Sequence, residues 1–194
     1  MGSIELELKG VVPDPDRFRA ALLTAGAAPG ERGMLHDRRY DRALELTARD
    51  ELIRTRTFLP AGGAPAIQLG WKGPALTSPE GYKRREEREL DLAAGDPGPF
   101  LHALGYTVIH AIDRYIETYH LGEGHARMEW YPRMDVLVEV EGTPAAIERI
   151  IAASGVPRDA FTSEALTAFT ARYDAAHPDR PSLVSLDGWQ GPAL

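Results

Sequence analysis

Two short segments of the chain carry pairs of carboxylates spaced two residues apart. Glu5 and Glu7 lie near the N-terminus, and Glu139 and Glu141 lie among β-branched residues far along the chain. Because side chains alternate between the faces of a strand, each pair projects from one face, at an interval of roughly 6.6 Å. Carboxylate oxygens are the ligands that hard divalent cations prefer. If the two segments meet, the four carboxylates form a metal site; a solvated strand face is the alternative.

Basic side chains follow the same spacing in the middle of the chain. Arg54 and Arg56 share one face of the predicted strand 52–58, and Lys72 ends the next predicted strand before a Gly-Pro break. In the segment 82–92, charged residues occupy both faces, which an apolar core does not accommodate. That segment is either an exposed edge strand or a strand with one face lining a polar interior. For the arginine pair, an edge strand made basic to discourage aggregation is the alternative.

Hydrophobic periodicity and turn residues predict the elements that carry these side chains. The predicted helices span 15–25, where Asp14 is the expected cap, and 97–104, 144–154 and 163–175. The predicted strands are 4–9, 52–58, 66–72, 82–92, 108–119, 126–130 and 136–142. We expect a loop over 27–33 and a turn or short helical piece over 36–41. The sequence predicts a single domain, 1–176, followed by an irregular or partly disordered tail, 177–194, rich in proline, aspartate and glycine.

Hairpin connections and charged strand faces predict the fold class. About eight strands joined mostly in hairpins imply an antiparallel sheet, and many charges on one face imply that the sheet encloses a wet interior. The sequence therefore predicts an α+β fold: an eight-stranded antiparallel β-barrel, closed or C-shaped, with flanking helices. The strand-helix alternation and glycine fingerprint of dinucleotide-binding folds are absent from the sequence.

Composition and charge exclude several classes of protein. The 194 residues are 43% hydrophobic and 26% charged, and the formal net charge of −7 argues against binding to nucleic acid or to a membrane surface. The sequence has no cysteine, which excludes disulfides and thiolate metal sites. No segment approaches about 18 apolar residues, and the N-terminus lacks a signal-peptide pattern, so we expect a cytoplasmic protein.

Five motifs, taken in order, resemble one family. They are Glu5-x-Glu7-x-Lys9, Arg54-x-Arg56, Trp71-Lys72-Gly73-Pro74, Arg85-x-Glu87-x-Glu89 and Glu139-x-Glu141-Gly142. At these spacings they resemble the CYTH superfamily of triphosphate tunnel metalloenzymes, which includes class IV adenylate cyclases, thiamine triphosphatases and inorganic tripolyphosphatases. The resemblance covers residues 4–175. It implies an eight-stranded antiparallel barrel, in a family whose members occur as monomers or as homodimers.

The resemblance implies a charged lumen that holds a triphosphate. The implied triphosphate ligands are Lys9, Arg54, Arg56, Lys72, Arg85 and Arg114. The implied ligands of Mg²⁺ or Mn²⁺ are Glu5, Glu7, Glu139 and Glu141. Glu129 stands where the family often has an aspartate that binds metal or orients water, and Lys72 and Arg114 complete the implied catalytic residues. A triphosphate carries about four negative charges, which explains the need for several cations, and arginine makes forked contacts to phosphate oxygens.

One position departs from the family pattern. The family's central strand carries two basic residues two apart, whereas here Arg114 is followed by Ile116. Losing one cation removes a charge-assisted bond worth about 1.5–3 kcal/mol. The residues that could replace it are Lys83, Arg84, His110 and His120.

The expected function is metal-dependent chemistry on a small triphosphate, either ATP, thiamine triphosphate or tripolyphosphate. The motifs are closest to those of class IV adenylate cyclases and thiamine-triphosphatase-like members, and the same ligands serve hydrolysis and cyclisation. Three alternatives remain: a changed substrate, a non-catalytic binder of phosphorylated ligands marked by Ile116, and a structural module whose charged strands are solvated.

Overall fold

Strands dominate the computed structural model, which describes residues 3–192. The strands are β1 (Ser3–Val11), β2 (Ala28–Asp41), β3 (Leu52–Pro60), β4 (Ala66–Lys72), β5 (Leu76–Thr77), β6 (Lys83–Leu92), β7 (Thr107–Leu121), β8 (Gly124–Trp130), β9 (Leu137–Glu141) and β10 (Phe161–Thr162). The helices are α1 (Pro15–Thr24), α2 (Gly98–Ala103), α3 (Pro144–Ser154) and α4 (Leu166–Ala176), and 3₁₀ turns cover Thr47–Arg49 and Arg158–Ala160. Within this described part of the chain, every helix is too short or too polar to cross a membrane.

The strands form one antiparallel sheet that closes on itself. β1 pairs with β9 on one side and with β6 on the other, and the order around the barrel is β1-β9-β8-β7-β2-β3-β4-β6. The short strands β5 and β10 extend the sheet beside β6 and β1. The prediction of an α+β fold built on an eight-stranded antiparallel barrel is confirmed, and the barrel is closed.

Strand β2 corrects two predictions. The sequence predicts a loop over 27–33 and a turn or short helical piece over 36–41, and both predictions are wrong: residues 28–41 form one long strand between β3 and β7. Asp37 and Arg39 of this strand line the lumen. Because the lumen is charged, β2 lacks the alternation of apolar and polar residues that identifies a half-buried strand.

The start of β2 passes very close to β3. A bulge between Pro29 and Arg32 shifts its register against β7. At Gly33, a Cβ atom would lie 2.1 Å from the carbonyl oxygen of Leu59, so only glycine fits there. The glycine thus permits the pairing that continues β2 toward the lumen residues.

The other predicted elements agree with the structure to within two residues at each end, except the start of the last helix. α4 begins at Leu166 rather than Ser163. Residues 161–162 pair with β1 as β10, so the chain must turn before the helix can begin. The cap predicted for α1 is confirmed, since Arg17 N donates to Asp14 Oδ1 at 3.0 Å.

The main apolar core lies outside the barrel, between its wall and the helices α1 and α3. Leu8 of β1 and Val138 and Val140 of β9 form one cluster with Phe18 of α1 and Ile150 of α3. Each of these side chains is at most 1% exposed. The strands therefore turn their apolar face outward to the helices, which leaves the inward face free for charged residues.

The segment after α4 packs against the strand β7 of the barrel. Asp113 N donates to the carbonyl oxygen of Val184 at 2.8 Å, and Leu186 N donates to Asp113 Oδ2 at 3.2 Å. Leu183 forms an isolated antiparallel bridge with Arg133. Apart from this bridge, residues 177–192 contain no strand or helix. The hydrogen bonds to Asp113 and the bridge to Arg133 therefore hold this segment against the barrel.

We expect Ile150→Ala to lower the free energy of unfolding by about 2–5 kcal/mol, because it leaves a cavity between α3 and the barrel wall. Urea unfolding followed by circular dichroism measures the change. Leu90→Ala is the control: this side chain is 64% exposed, and its loss should change stability by less than about 0.5 kcal/mol. Equal losses in the two variants would contradict the location of the core.

Candidate functional site

Four carboxylates converge in the lumen. β1 and β9 pair antiparallel with Glu7 opposite Glu141, so the carboxylate pair of each strand projects to the same side of the sheet. One carboxylate oxygen from each of the four residues lies within 4.8 Å of all the others. We call these residues the carboxylate cluster: Glu5, Glu7, Glu139 and Glu141. The structure thus brings together all four metal ligands suggested by the sequence.

Crowding of like charges makes the members of the cluster differ in proton affinity. Burial and the charge of Glu139 raise the pKa of Glu7 above its usual range. Burial also raises the pKa of Glu141 well above that range, and the charge of Arg127 opposes this only in part. For Glu139, the charges of Lys9 and Arg127 outweigh burial and hold the pKa well below its usual range. The cluster therefore combines two carboxyls whose proton affinity is raised, Glu7 and Glu141, with Glu139, whose charged form is stabilised.

Glu5 is linked to a further carboxyl, that of Glu87 on β6. Burial raises the pKa of Glu5, but a hydrogen bond with Glu87 and the charge of Lys72 outweigh it and leave the pKa at about 2. Burial and the same hydrogen bond raise the pKa of Glu87 to about 8. Lys72 Nζ lies 3.2 Å from Glu5 Oε2 and also contacts Glu87. In this pair Glu87 carries the proton and Glu5 the charge.

The donor set of the carboxylate cluster fits a hard divalent cation. The cluster offers carboxylate oxygens alone, which suit Mg²⁺ and Mn²⁺ better than softer metals. Such cations bind the ionised form of a carboxyl group, so binding would compete with the protonation that the raised pKa values of Glu7 and Glu141 favour.

Each carboxylate of the cluster has a basic partner. The ion pairs are Glu5 with Lys72, Glu7 with Lys83, Glu139 with Lys9 and Arg127, and Glu141 with Arg127. Because Lys83 and Arg85 both line the lumen, the structure also fixes the inward face of β6, which the sequence left open. Lys83 is also one of the residues that could replace the cation missing at position 116.

Asp37 of β2 holds three predicted triphosphate ligands in place. Arg56 Nε and Nη2 donate to its two carboxylate oxygens at 2.8 and 3.0 Å. Arg114 Nη1 donates to Oδ2 at 3.1 Å, and Arg54 Nη1 lies 3.8 Å from the same oxygen. Burial raises the pKa of Asp37, but the charges of the arginines hold it well below its usual range. Asp37 thus stays ionised and orients the arginine side chains.

Glu129 of β8 lies beside the carboxylate cluster without belonging to it, since Lys9 contacts both Glu129 and Glu139. Lys9 Nζ and the Tyr131 hydroxyl donate to Glu129 Oε2 at 3.1 and 2.7 Å. Arg114 Nε lies 2.9 Å from Oε1. Burial raises the pKa of Glu129, but the charges of Lys9 and Arg114 bring it to about 2. At this pKa the carboxylate is a weak proton acceptor, and its contacts suit it to positioning Lys9 and Arg114.

A cavity of about 320 Å³ occupies this part of the lumen. Its lining includes all six triphosphate ligands implied by the resemblance: Lys9, Arg54, Arg56, Lys72, Arg85 and Arg114. Glu7, Glu129 and Glu139 line the same cavity, so two members of the carboxylate cluster and the basic residues face one space. We call this space the central cavity.

Ile116 lies in a second cavity, of about 610 Å³, at the other side of the same lumen. The two cavities share Arg56 and Arg127 in their linings. Ile116 is 3% exposed, so the position at which the family has a second basic residue is a buried apolar position here. The guanidinium of Arg127 is the charged group that the structure places beside this cavity and the carboxylate cluster together.

Sequence reasoning missed several lumen residues. Arg127 is two positions before Glu129 in a strand that was predicted correctly, so alternation alone could have placed both on the inward face. Asp37 and Arg39 were missed because β2 was not predicted as a strand. Their spacing of two residues was the available signal.

Solved structures share this fold. A Pyrococcus horikoshii protein is 21% identical with a TM-score of 0.69, covering 84% of this chain and 96% of that one. A Vibrio parahaemolyticus protein described as a candidate adenylate cyclase is 18% identical, with a TM-score of 0.70 and coverages of 88% and 99%. A Hippeastrum protein described as a candidate adenylyl cyclase with a dominant triphosphatase activity is 17% identical, with a TM-score of 0.59 and coverages of 91% and 96%. No protein-family model and no curated protein matches the sequence.

We expect Mn²⁺ binding to strengthen as the pH rises. The raised pKa values of Glu7 and Glu141 mean that these groups hold protons at a pH where an ordinary carboxyl is ionised, and the cation must displace them. Release of one proton corresponds to about a tenfold gain in affinity per pH unit. Calorimetric titration in buffers of different ionisation enthalpy measures both the affinity and the number of protons released. An affinity independent of pH would contradict the assignment.

We expect Asp37→Asn to lower the free energy of unfolding by about 3–5 kcal/mol at neutral pH, because it leaves buried arginines without their counter-ion. The pKa of Asp37 is depressed in the folded state, so its contribution is present above the unfolded pKa and is lost as the pH falls through the folded value. The difference between variant and wild type should therefore shrink in acid. Urea unfolding at several pH values tests this, with the exposed Asp91→Asn as control.

Proposed function

We propose that this chain is a metal-dependent enzyme of the CYTH type that removes the terminal phosphate from a triphosphate held in the barrel lumen. The observation that carries the proposal is that the carboxylate cluster and all six implied triphosphate ligands face one lumen. Solvated strand faces, the alternative for each motif, do not account for charged side chains that turn inward and are buried there.

The ion pairs of the carboxylate cluster support an anionic substrate that binds together with a divalent cation. Lys9, Lys83 and Arg127 are each paired with members of the carboxylate cluster. A divalent cation bound by those carboxylates would compete with Lys9, Lys83 and Arg127 for them, and these basic groups would then be available to phosphate oxygens. Each charge-assisted hydrogen bond to a phosphate contributes about 1.5–3 kcal/mol.

Arg114 supplies a donor that the described residues leave unused. Its Nε atom is buried and makes no hydrogen bond, although it lies 2.9 Å from Glu129 Oε1, because the geometry to that oxygen is unfavourable. A buried donor without an acceptor is costly, and a non-bridging phosphate oxygen in the central cavity would satisfy it.

In the proposed reaction, water attacks the terminal phosphorus and the bond from phosphorus to the bridging oxygen breaks, so the diphosphate part leaves with that oxygen. The terminal group, with the oxygen of the water, becomes orthophosphate, and the proton of the water passes to solvent. Mg²⁺ or Mn²⁺ bound at the carboxylate cluster would neutralise phosphate charge and lower the pKa of a coordinated water. The side chains of Lys9, Arg56 and Arg114 bind the non-bridging oxygens and stabilise the charge that develops on the leaving oxygen. Glu129 holds Lys9 and Arg114 in position.

Hydrolysis is favoured over cyclisation by the description of the Hippeastrum protein, whose dominant activity is that of a triphosphatase. Cyclisation is the second candidate, because the Vibrio protein is described as a candidate adenylate cyclase. In that reaction the ribose 3′-oxygen attacks the α-phosphorus and pyrophosphate leaves. The three candidate substrates differ in the organic group on the phosphate chain: adenosine in ATP, thiamine in thiamine triphosphate and none in tripolyphosphate.

Product analysis tests the proposal directly. Purified protein would be incubated with Mg²⁺ or Mn²⁺ and, separately, ATP, tripolyphosphate and thiamine triphosphate, and the products resolved by chromatography. We expect orthophosphate, and no release when the metal is chelated. Cyclic AMP with pyrophosphate would instead establish the cyclase. No product, together with protection from thermal unfolding, would establish a non-catalytic binder.

We expect Glu5→Gln and Glu139→Gln each to lower metal-dependent turnover by at least about 100-fold while the fold stays intact, because each removes a charged metal ligand. Initial rates over a range of Mn²⁺ concentrations, with circular dichroism to monitor folding, measure the effect. Glu123→Gln, at an exposed turn, is the control. Full activity in both lumen variants would overturn the metal assignment.

A further inference from the structure

Arg39 of β2 is a lumen cation that no sequence motif identified. Its side chain is half-buried and lines the central cavity together with Arg54, Arg85 and Arg114. In the sheet it stands opposite Arg54 on β3 and opposite His110 on β7. It therefore belongs to the most basic part of the cavity wall.

Within residues 3–192, Arg39 makes neither a side-chain hydrogen bond nor an ion pair. The carboxylate of Asp37, two residues earlier in β2, is already occupied by Arg56 and Arg114. Burial lowers the pKa of Arg39, Asp37 opposes this, and the charges of Arg114, Arg54 and Arg85 lower it further. The guanidinium thus lies among like charges without a counter-ion of its own.

This separates Arg39 from the cations beside the carboxylate cluster. Lys9, Lys72, Lys83 and Arg127 must each give up a carboxylate before they can bind an anion fully. Arg39 has no such competitor. Its forked guanidinium is available to two oxygens of one phosphate group without breaking an existing pair.

The position of β2 in the barrel decides where such a phosphate would lie. β2 is four strands away from β1 in both directions around the barrel, so Arg39 projects from the wall opposite to Glu5 and Glu7. Arg39 and two members of the cluster, Glu7 and Glu139, line the same central cavity. A ligand that contacts both Arg39 and the cluster must therefore span the lumen.

Building on the proposed function, we propose that Arg39 binds the phosphate group at the end of a polyphosphate opposite the carboxylate cluster, and so selects triphosphates over diphosphates. The third phosphate group is the one that allows a single chain to contact both walls. Arg39 also supplies a cation to a lumen that lacks one at Ile116, although the two residues line different cavities.

The test compares a triphosphate and a diphosphate that share the same organic group. Affinities for β,γ-methylene-ATP and for ADP would be measured by calorimetry in Mg²⁺, since the methylene bridge prevents hydrolysis at the terminal bond. We expect Arg39→Ala to lower the affinity for β,γ-methylene-ATP by about tenfold or more and the affinity for ADP by less than about twofold. Arg39→Lys, which keeps the charge but not the fork, should fall between wild type and Arg39→Ala.

Arg42→Ala is the matched control. Arg42 lies one residue beyond the end of β2 and pairs at the surface with Glu45, so its loss removes the same charge from outside the cavity. Both affinities should stay as in the wild type. Thermal unfolding of each variant without ligand checks that the fold is intact, which we expect because Arg39 has no partner among the described residues.

A second measurement uses a ligand without an organic group and does not require a bound metal. Tripolyphosphate binding would be measured in EDTA, where Arg39→Ala should again weaken binding by about tenfold. Unchanged tripolyphosphate affinity, or equal losses for β,γ-methylene-ATP and ADP, would overturn the role of Arg39 while leaving the proposed function in place. A wild-type protein that binds no tripolyphosphate, with or without Mg²⁺, would overturn the proposed function as well.

Discussion

Close approach of like charges is the constraint on which the rest of this structure depends. Four carboxylates, from residues 5, 7, 139 and 141, have oxygens within 4.8 Å of one another in a barrel lumen. Such a group persists only where protons, basic side chains or a bound cation compensate its charge. The raised pKa values of Glu7 and Glu141 and the ring of lysines and arginines are two forms of that compensation. A divalent cation would be the third.

A charged lumen requires the apolar core to lie elsewhere. The barrel wall turns its apolar face outward, and α1 and α3 cover that face. Burial of apolar surface there provides the stabilisation that the lumen cannot, since ion pairs in a buried site gain little net free energy against the cost of desolvation. The helices thus hold the wall in place, and the wall holds the charged side chains at short distances.

Two anions in the lumen organise cations instead of joining the cluster. Asp37 binds Arg56 and Arg114, and Glu129 binds Lys9 and Arg114. Both have depressed pKa values because basic neighbours surround them. These two carboxylates are already occupied, and within residues 3–192 Arg39 has no counter-ion. This asymmetry gives the lumen an acidic wall that suits a metal and a basic wall that suits a phosphate.

The sequence by itself determined the parts of this protein that depend on local alternation. The spacing of Glu5 and Glu7, of Arg54 and Arg56, and of Glu139 and Glu141 assigned each pair to one strand face, and turn residues separated the strands. The barrel fold, the helices and the charged residues of the motifs followed from these patterns and from the family resemblance, whereas the lumen residues Asp37, Arg39 and Arg127 did not.

Only the tertiary structure decided which charges meet. Closure of β1 on β6 brings Glu7 to Lys83, and the place of β2 between β3 and β7 brings Asp37 to Arg56 and Arg114. β2 could not be recognised in the sequence because a strand that faces a charged lumen lacks apolar alternation. Proton affinities and unpaired cations depend on distances between residues far apart in the chain, and those distances exist only once the barrel has closed.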